Sequence, residues 1–287
     1  MPGSSTPDLP ALEHANFIRA IALAASSAPD ALVRQEDGVA LLSTGIPLRL
    51  FNQVLIEDDG AGEAAVVAAV TSAVGLLRER DAPFVVNLRR GTDDRLVPLM
   101  AWLGLAPITP EPWMPGLAWH PIAPGSTAGS VDGPASRVGA ELESGIEAVR
   151  DAAGIEAHIQ VAAEGFGMPE EMLRPVIGPA LIADRDATLY VGRVDGRPVT
   201  SGLGVRSGRT IGVYDIATVP DVRGRGFAAA MTSRIVRDGV AAGCDVAVLQ
   251  SSAMGLSLYR RLGFETVVEY VGYIPPEEPQ RGPSAGD

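Results

Sequence analysis

A glycine-bearing loop at residues 221–228 is the stretch of this chain whose residue types could bind an anion. It reads Asp-Val-Arg-Gly-Arg-Gly-Phe-Ala, follows an apolar run at 211–219 and precedes an alanine-rich, proline-free segment at 228–242 that predicts a helix. The first-turn amides of a helix have no partners within the helix, so they can hold a phosphate. Gly224 and Gly226 allow a close approach of the backbone. The loop therefore predicts a phosphate site.

The common phosphate motifs do not describe this loop. Arg223 and Arg225 add positive charge beside the glycines. The chain has no G-x-x-x-x-G-K-[ST], and G-x-G-x-x-G fails because Ala229 stands where the third glycine is required. The pattern indicates a phosphate-binding turn of another class.

Composition excludes several kinds of function. The chain has 287 residues, of which 46% are hydrophobic and 20% charged, which is typical of a globular protein. A net charge of -12 argues against nucleic-acid binding and favours a neutral or cationic substrate. No apolar stretch reaches the roughly 20 residues of a membrane span, and the first residues lack the basic start of a secretory signal. We therefore expect a cytoplasmic protein without a membrane partner.

Cysteine and histidine usage predicts no metal site. The single cysteine, Cys244, excludes an internal disulfide and suits a reducing compartment. It begins an apolar run, which favours a buried core thiol. His14, His120 and His158 show no metal-ligand spacing, so each is expected to be structural or exposed.

Hydrophobic patterning predicts an α/β (α+β) fold in two parts. In the first part we expect helices at 11–27, 63–80 and 96–103 and strands at 38–43, 50–56, 83–88 and 113–119. In the second part we expect helices at 145–164, 170–177, 228–242 and 255–262 and strands at 188–194, 197–205, 210–219, 245–250 and 266–274.

A linker composition rich in Pro, Gly and Ser marks the boundary between the parts. We place the linker at 121–138, an N-terminal domain at 10–120 and a C-terminal domain at 139–275. The proline-rich residues 276–287 are expected to be a disordered tail.

The two domains contain a tandem repeat of strand, loop, helix, strand, short helix and a Leu-Gly-apolar ending. Residues 99–105 fall on 258–264, and 61–64 fall on 223–226. Acidic residues surround the first copy of the loop, at Glu57, Asp58, Asp59 and Glu63. Because carboxylates repel a pyrophosphate, the first copy is interpreted as a scaffold without a phosphate site, the alternative being chance resemblance.

Two motifs in the second domain resemble those of the GNAT superfamily of acyl-CoA-dependent N-acyltransferases. Arg223-x-x-Gly226-x-Ala228 fits the family's [QR]-x-x-G-x-[GA] loop, and 258–264 fits its L-Y-x-x-x-G-F element. The match covers about 189–273, and the whole chain is similar to the tandem form with a degenerate N-terminal copy. The resemblance implies two GNAT-like lobes, each a mixed, mostly antiparallel sheet flanked by helices.

The resemblance also implies which residues bind acetyl-CoA as cosubstrate, without a metal. The pyrophosphate would be held by the amides of Arg223, Gly224, Arg225, Gly226, Phe227 and Ala228. Backbone groups of Ala217, Thr218 and Val219 would pair with the pantetheine arm, beside a bulge that splays this strand. Ser252 stands where the family often has asparagine and would make the same cofactor contact.

Tyr259 is the expected catalytic acid, because a phenol can stabilise and protonate the thiolate that acyl transfer expels. Its counterpart in the first repeat is Met100, which can do neither. The base stays open among a water chain, Asp215 and Glu164. Strand alternation turns Asp215 away from the slot, so a structural role is expected for it. The segment 165–167 is either an acceptor-side lid or an ordinary turn between helices.

These features predict an N-acetyltransferase that moves an acyl group from CoA to a primary amine by direct attack. The acceptor would be a small molecule or a peptide, with one acetyl-CoA bound per chain. Ping-pong chemistry through Cys244 is disfavoured because that residue starts a buried strand far in sequence from Tyr259. The alternatives are a non-catalytic CoA-binding regulatory or scaffold protein and an acyltransferase that uses another acyl-CoA.

Overall fold

The computed structural model describes residues 7–57, 60–110, 113–120 and 145–276. The predicted linker at 121–138 lies outside these ranges, as do residues 277–287 of the predicted tail and the acidic residues Asp58 and Asp59.

Helices and strands alternate through both halves of the chain. The first half contains, in order, α1 (Leu9–Ser26), β1 (Leu32–Glu36), β2 (Val39–Ser43), β3 (Asn52–Ile56), α2 (Glu63–Glu79), β4 (Val85–Arg89), α3 (Val97–Trp102), β5 (Ala106–Pro107) and β6 (Met114–Trp119). The second half contains β7 (Ile146–Ala148), α4 (Ala152–Phe166), α5 (Glu170–Leu173), α6 (Pro179–Ala183), β8 (Ala187–Val194), β9 (Arg197–Ser207), β10 (Thr210–Thr218), α7 (Phe227–Ala241), β11 (Val246–Gln250), α8 (Leu256–Arg261) and β12 (Glu265–Ile274).

Several elements differ from the sequence-based expectation, and the short β5 and α6 were not predicted at all. The helix predicted over 145–164 is strand β7 followed by α4, whose start is fixed by the Asp151 side chain accepting from the Gly154 amide at 2.8 Å. The helix predicted over 170–177 ends at Leu173, close to Pro175, which cannot donate to a helical hydrogen bond. The exposed, charged strand β1 carries no alternating pattern and was not predicted.

The two halves repeat one topology. In each, a helix precedes three consecutive antiparallel strands, a second helix leads to a strand parallel to the third, and a short helix leads to a final strand. The parallel pairs are β3 with β4 and β10 with β11. The expected α/β fold of two lobes, each a mixed and mostly antiparallel sheet flanked by helices, is confirmed.

The final strands are exchanged between the halves, so that the lobes share one 12-stranded sheet. Its order is β1-β2-β3-β4-β12-β6-β11-β10-β9-β8-β7, with the short β5 paired beside β12. Strand β6 of the first half lies between β11 and β12 of the second, and β12 lies between β6 and β4. Each lobe is therefore completed by a strand of the other.

Helix α1 also crosses between the halves, since it packs on β9 and β10 as well as on β6 and β12. Its buried face carries polar groups that reach the second half. Asn16 Nδ2 donates to the Thr210 hydroxyl at 2.8 Å, and the Glu13 carboxylate accepts from the Gln250 amide and, at 2.8 Å, from the Tyr270 hydroxyl. Burial is the main cause that raises the pKa of Glu13 to about 7, although both of these hydrogen bonds lower it.

Candidate active site

A bulge in β10 opens a slot between that strand and β11. The two strands pair in parallel only from Thr210 to Gly212 of β10. The register with β9 then shifts between Tyr214 and Ala217, where Asp215 adopts a left-handed φ of 53°. An extra residue of this kind bends a strand and increases its twist, so β10 leaves the ladder here.

The slot belongs to a cavity of about 1460 Å³ that both halves of the chain line. It runs from the start of α7, past the bulge, to the face of α1. Binding sites for single small ligands usually measure about 300–1,000 Å³. The cavity can therefore hold the end of a long cosubstrate together with a second molecule.

The loop at one end of the cavity is shaped to hold an anion. A short 3₁₀ turn leads to Gly224 with φ 76° and to Gly226 with φ 90°, which caps α7. A side chain added at either glycine would meet nothing within 4 Å, so the space above the loop is open. The first helical hydrogen bond runs from the Ala230 amide to the Gly226 carbonyl, at 3.0 Å, which leaves the preceding first-turn amides without helical acceptors.

Arginine side chains stabilise the conformation of the loop. Arg223 donates from Nη2 to the Gly165 carbonyl at 2.5 Å and from Nε to the Thr218 carbonyl at 3.2 Å. Its guanidinium thus ties the end of α4 to β10. At the loop's start, Arg197 binds the Asp221 carboxylate through two hydrogen bonds, of 2.6 and 3.2 Å. The anion site consequently depends on backbone amides.

Tyr259 contributes a largely buried side chain to the cavity wall. Its ring packs edge-on against Phe264, with centroids 6.0 Å apart, and a side chain at Gly255 would come within 2.9 Å of the ring. Burial raises the pKa of Tyr259 to about 12, so the phenol stays protonated at neutral pH. Within the part of the chain that the structure describes, its hydroxyl has no hydrogen-bond partner and is free to donate to a ligand.

A histidine–aspartate pair lies at the bulge. His158 Nε2 is 2.5 Å from Asp215 Oδ2, and His158 Nδ1 is 3.1 Å from the Tyr190 carbonyl oxygen. The carbonyl can only accept, so we assign a proton to Nδ1, and the short bond to the carboxylate requires a second proton on one of its two atoms. The pair therefore shares one proton. His158 is fully buried, whereas Asp215 lines the cavity with 19% of its side chain exposed.

The first repeat lacks this arrangement. Met100, the counterpart of Tyr259, is fully buried in the core, and the helix that matches α7 begins with Glu63 after a Gly62 whose φ is −67°. An acidic first turn and an ordinary backbone at the cap make this end a poor anion site.

Comparisons with known proteins agree with this geometry. A model of the acetyltransferase (GNAT) domain matches residues 185–266. An acetyltransferase of Yersinia pestis is 33% identical over 104 residues, which are 33% of this chain and 74% of the relative. The chain belongs to the GNAT superfamily of N-acetyltransferases.

Solved structures of the superfamily extend the likeness to nearly the whole chain. A GCN5-related N-acetyltransferase from Kribbella flavida is 18% identical, with a TM-score of 0.62 over 92% of this chain and 96% of that one. A tandem GNAT protein from the clavulanic acid biosynthesis pathway is 13% identical, with a TM-score of 0.56 over 92% and 94% of the two chains. At these identities the comparison shows the two-lobed fold alone.

Most residues that the GNAT motifs assign to the cofactor line the cavity. They are Ala217, Thr218, Arg223, Gly224, Gly226, Phe227, Ala228 and Ser252. Val219 and Arg225 lie outside its lining. The Val219 amide donates to the Val199 carbonyl at 3.1 Å and its carbonyl accepts from the Val222 amide at 3.3 Å, so both of its backbone groups are engaged in the turn.

The expected orientation of the Asp215 side chain is wrong. In a strand without a bulge, the alternation of side chains would turn Asp215 away from the slot. The bulge inserts one residue at this position, which reverses the alternation, and Asp215 faces the cavity. His158, expected to be structural or exposed, is buried and holds Asp215 in place. A positive φ at a non-glycine residue carries no signal in the sequence.

The sequence of this GNAT chain predicts neither a metal site nor a membrane-spanning helix. Among residues 7–57, 60–110, 113–120 and 145–276, no group of three His, Cys, Asp or Glu side chains could hold a metal ion. None of the helices in these ranges is long and apolar enough to cross a membrane. Cys244 is buried, and burial is the main cause that raises the pKa of its thiol, which makes it a poor nucleophile.

Proposed function

We propose that this protein transfers an acetyl group from acetyl-CoA to a primary amine by direct attack, in the cavity of the second lobe. The observation that carries the proposal is that one cavity joins the anion-binding loop, the bulge of β10 and the Tyr259 hydroxyl. This order matches a cosubstrate with phosphates at one end and a thioester at the other.

The cofactor would enter between β10 and β11. The amides at the start of α7, from Gly224 to Ala228, would hold the pyrophosphate, and the arm would follow the backbone of Ala217 and Thr218. The fit is supported by open space above both glycines and by amides without helical acceptors. Ser252, at the opposite wall, would donate to the arm from its exposed hydroxyl.

Tyr259 would stabilise the leaving thiolate. Attack by the amine gives a tetrahedral intermediate whose collapse expels the sulfur with negative charge. An alkyl thiol titrates near about 8.5, whereas the pKa of Tyr259 is raised to about 12. The hydrogen bond to sulfur would therefore contribute more than complete proton transfer. The attacking nitrogen loses one proton and the sulfur gains one, so the reaction has no net uptake of protons.

Asp215 would orient the amine. Its Oδ2 is bonded to His158, while Oδ1 has no hydrogen-bond partner among the described residues and can accept from the attacking nitrogen. His158 holds this carboxylate in one position, so orientation is the role that the geometry favours. Glu164 is less suited, because it is exposed and lies 3.9 Å from the Arg197 guanidinium.

Equilibrium binding of acetyl-CoA, followed by release of free CoA thiol with a panel of amines, tests the proposal. We expect binding, and thiol release that depends on the amine. Binding without release for any amine would overturn the enzymatic proposal in favour of a CoA-binding regulatory protein. Faster turnover with a longer acyl-CoA would instead identify a different acyl donor.

A further inference from the structure

Beyond the cofactor slot, the cavity continues along a wall that the first lobe helps to build. We call this part the acceptor chamber. Its wall is made of α1, the loop before β3, the segment after α4 and the outer part of β10. The first lobe contributes apolar side chains, among them Phe17, Ala20, Ile21, Ala24, Leu50 and Phe51, and also the polar Thr44. The first lobe therefore does more than complete the sheet.

Most side chains that line the acceptor chamber are apolar, and Asp215 adds a carboxylate to them. The charged residues that line the whole cavity are Glu164, Asp215, Arg223 and Arg261. Arg223 is bound to two backbone carbonyls, and Glu164 and Arg261 are exposed. Only Asp215 is set in the bulged strand between the slot and the chamber, with Oδ1 free of any partner among the described residues.

Two of the chamber's polar side chains are engaged in part by the protein, while Gln250 Oε1 is buried without a hydrogen-bond partner among the described residues. The Tyr214 hydroxyl donates to Asn16 Oδ1 at 2.7 Å, and the Gln250 amide donates to Glu13. A ligand with many hydroxyl or amino groups would find few partners on this wall and would lose hydrogen bonds to water on entry.

Some large apolar side chains of the cavity lining are exposed. Phe166 and Leu50 line the cavity from opposite lobes and are 45% and 43% exposed. Exposed Glu164 and Arg261 line the same cavity, so these two apolar side chains share its accessible surface with charged ones.

We infer that the acceptors are primary amines carried on an apolar body. The amino group would lie against Asp215, and the apolar body would extend along α1 of the first lobe. This inference rests on the proposed function and names its acceptor class. Hydrogen-bond complementarity supports it, since an unpartnered carboxylate oxygen in a largely apolar wall favours a ligand with one end that bears N–H groups.

A long acyl chain on the donor would fit the same wall less well. It would bring hydrocarbon against Asp215 and leave the Oδ1 lone pairs without a partner, which costs free energy in a desolvated site. An amine satisfies this oxygen, and its body covers the apolar surface.

A homologous series of alkylamines tests the acceptor class. With acetyl-CoA held saturating, we expect kcat/KM to rise about threefold to fourfold for each added CH₂ from butylamine to octylamine, as methylenes leave water. Spermidine, a hydrophilic polyamine, should be a poor acceptor. A kcat/KM that stays constant or falls as the alkyl chain lengthens would overturn the inference.

A substitution on α1 tests where the apolar body lies. Ala24 lines the cavity, whereas Ala15 is on the exposed side of the same helix. We expect Ala24→Phe to lower the octylamine-to-butylamine ratio of kcat/KM at least about tenfold by filling the chamber, with an unchanged Kd for acetyl-CoA. Ala15→Phe is the control and should leave the ratio unchanged. Because Ala24→Phe could fail to fold, Ile21→Ala provides a second variant that enlarges the chamber and should favour longer amines.

Direct binding separates this inference from the proposed function. Calorimetry of octylamine with the CoA-saturated protein should show binding that Ala24→Phe weakens. If no amine is acetylated but octylamine binds in this way, the acceptor chamber is supported and the proposed function is refuted. If only hydrophilic amines are acetylated and octylamine does not bind, the proposed function is supported and the inference about the acceptor class is refuted. A preference for octanoyl-CoA that is independent of amine length would assign the chamber to the acyl chain and overturn it.

Discussion

At the residue scale, the proposed chemistry depends on groups whose surroundings set their protonation. The Tyr259 hydroxyl lies in the wall of the cavity, and its raised pKa keeps it a donor across the neutral range. The neighbouring packing is tight, because Gly255 leaves no room for a side chain beside the ring. A phenylalanine would occupy the same space and lack only the donor.

Tyr259→Phe is therefore expected to lower kcat about 100-fold, the usual loss when one hydrogen-bond donor to a developing charge is removed, while the Kd for acetyl-CoA stays the same. Steady-state turnover and calorimetry measure the two quantities. Tyr190→Phe is a suitable control, since Tyr190 is also buried but bonds Asp238 at 2.9 Å and does not line the cavity. Unchanged turnover in Tyr259→Phe would refute the proposed role.

Glu13 gives the fold a pH dependence of its own. Its pKa is raised from 4.5 to about 7 in the folded protein, mainly by burial. Between these values the folded chain keeps a proton that the unfolded chain has lost, so the free energy of unfolding falls as pH rises from about 4.5 to 7. The full effect is on the order of 3 kcal/mol.

Glu13→Gln should remove this part of the pH dependence, because an amide has no proton to lose in that range. Urea unfolding at several pH values measures it, and Glu79→Gln on the exposed end of α2 is the control. At low pH we expect Glu13→Gln to have a lower free energy of unfolding than wild type, because it loses one hydrogen bond. The difference should shrink toward pH 8, where wild type has lost the stability that the Glu13 proton gave. A parallel pH profile in wild type and Glu13→Gln would show that Glu13 does not cause the slope.

At the element scale, the site depends on how β10 ends and α7 begins. The bulge separates β10 from β11, and the two left-handed glycines turn the chain so that first-turn amides point at open space. Because the loop's arginines bind backbone carbonyls and Asp221, we expect cofactor affinity to follow the backbone at Gly226.

Gly226→Ala should raise the Kd for acetyl-CoA at least about tenfold, since a methyl group would project toward the phosphates and the backbone at φ 90° disfavours alanine. Gly243, near the other end of α7, has φ 94° and equally open surroundings. Gly243→Ala should therefore cost similar stability and leave the Kd unchanged. Equal effects on affinity in the two variants would refute the loop assignment.

At the scale of the whole molecule, exchange of the final strands makes each lobe depend on the other. β6 of the first lobe pairs with β11 from Trp119 to Gly116, and β12 of the second lobe pairs with β4 from Tyr270 to Tyr273. A lobe cut from the chain would lose its central neighbour and expose unpaired strand edges.

The C-terminal fragment 139–287 alone is therefore expected to be aggregated or unfolded, although it carries the complete GNAT motifs. Production together with 1–138 should restore a soluble pair that binds acetyl-CoA. Gel filtration and circular dichroism measure the outcome. A folded, monomeric fragment that binds acetyl-CoA on its own would show that the exchanged strand is dispensable.

The sequence by itself determined the local parts of this protein. The loop at 223–228 and the helix behind it follow from glycine conformation and from hydrogen bonds within a few residues, and Tyr259 follows from a short motif downstream. The strands of the repeat were also readable, because alternation and buried apolar runs leave a signal. These features sufficed for the two-lobed fold and for the family.

Only the tertiary structure decided how distant residues meet. His158 reaches Asp215 across 57 positions and Glu13 meets Gln250 across 237, and no spacing rule connects such pairs. The pattern of a strand tells which face is buried but not which strand lies beside it, so the exchange of β6 and β12 had no signal. The wall that α1 adds to the acceptor chamber arises from the same cause, because burial in a shared core, not local geometry, places that helix.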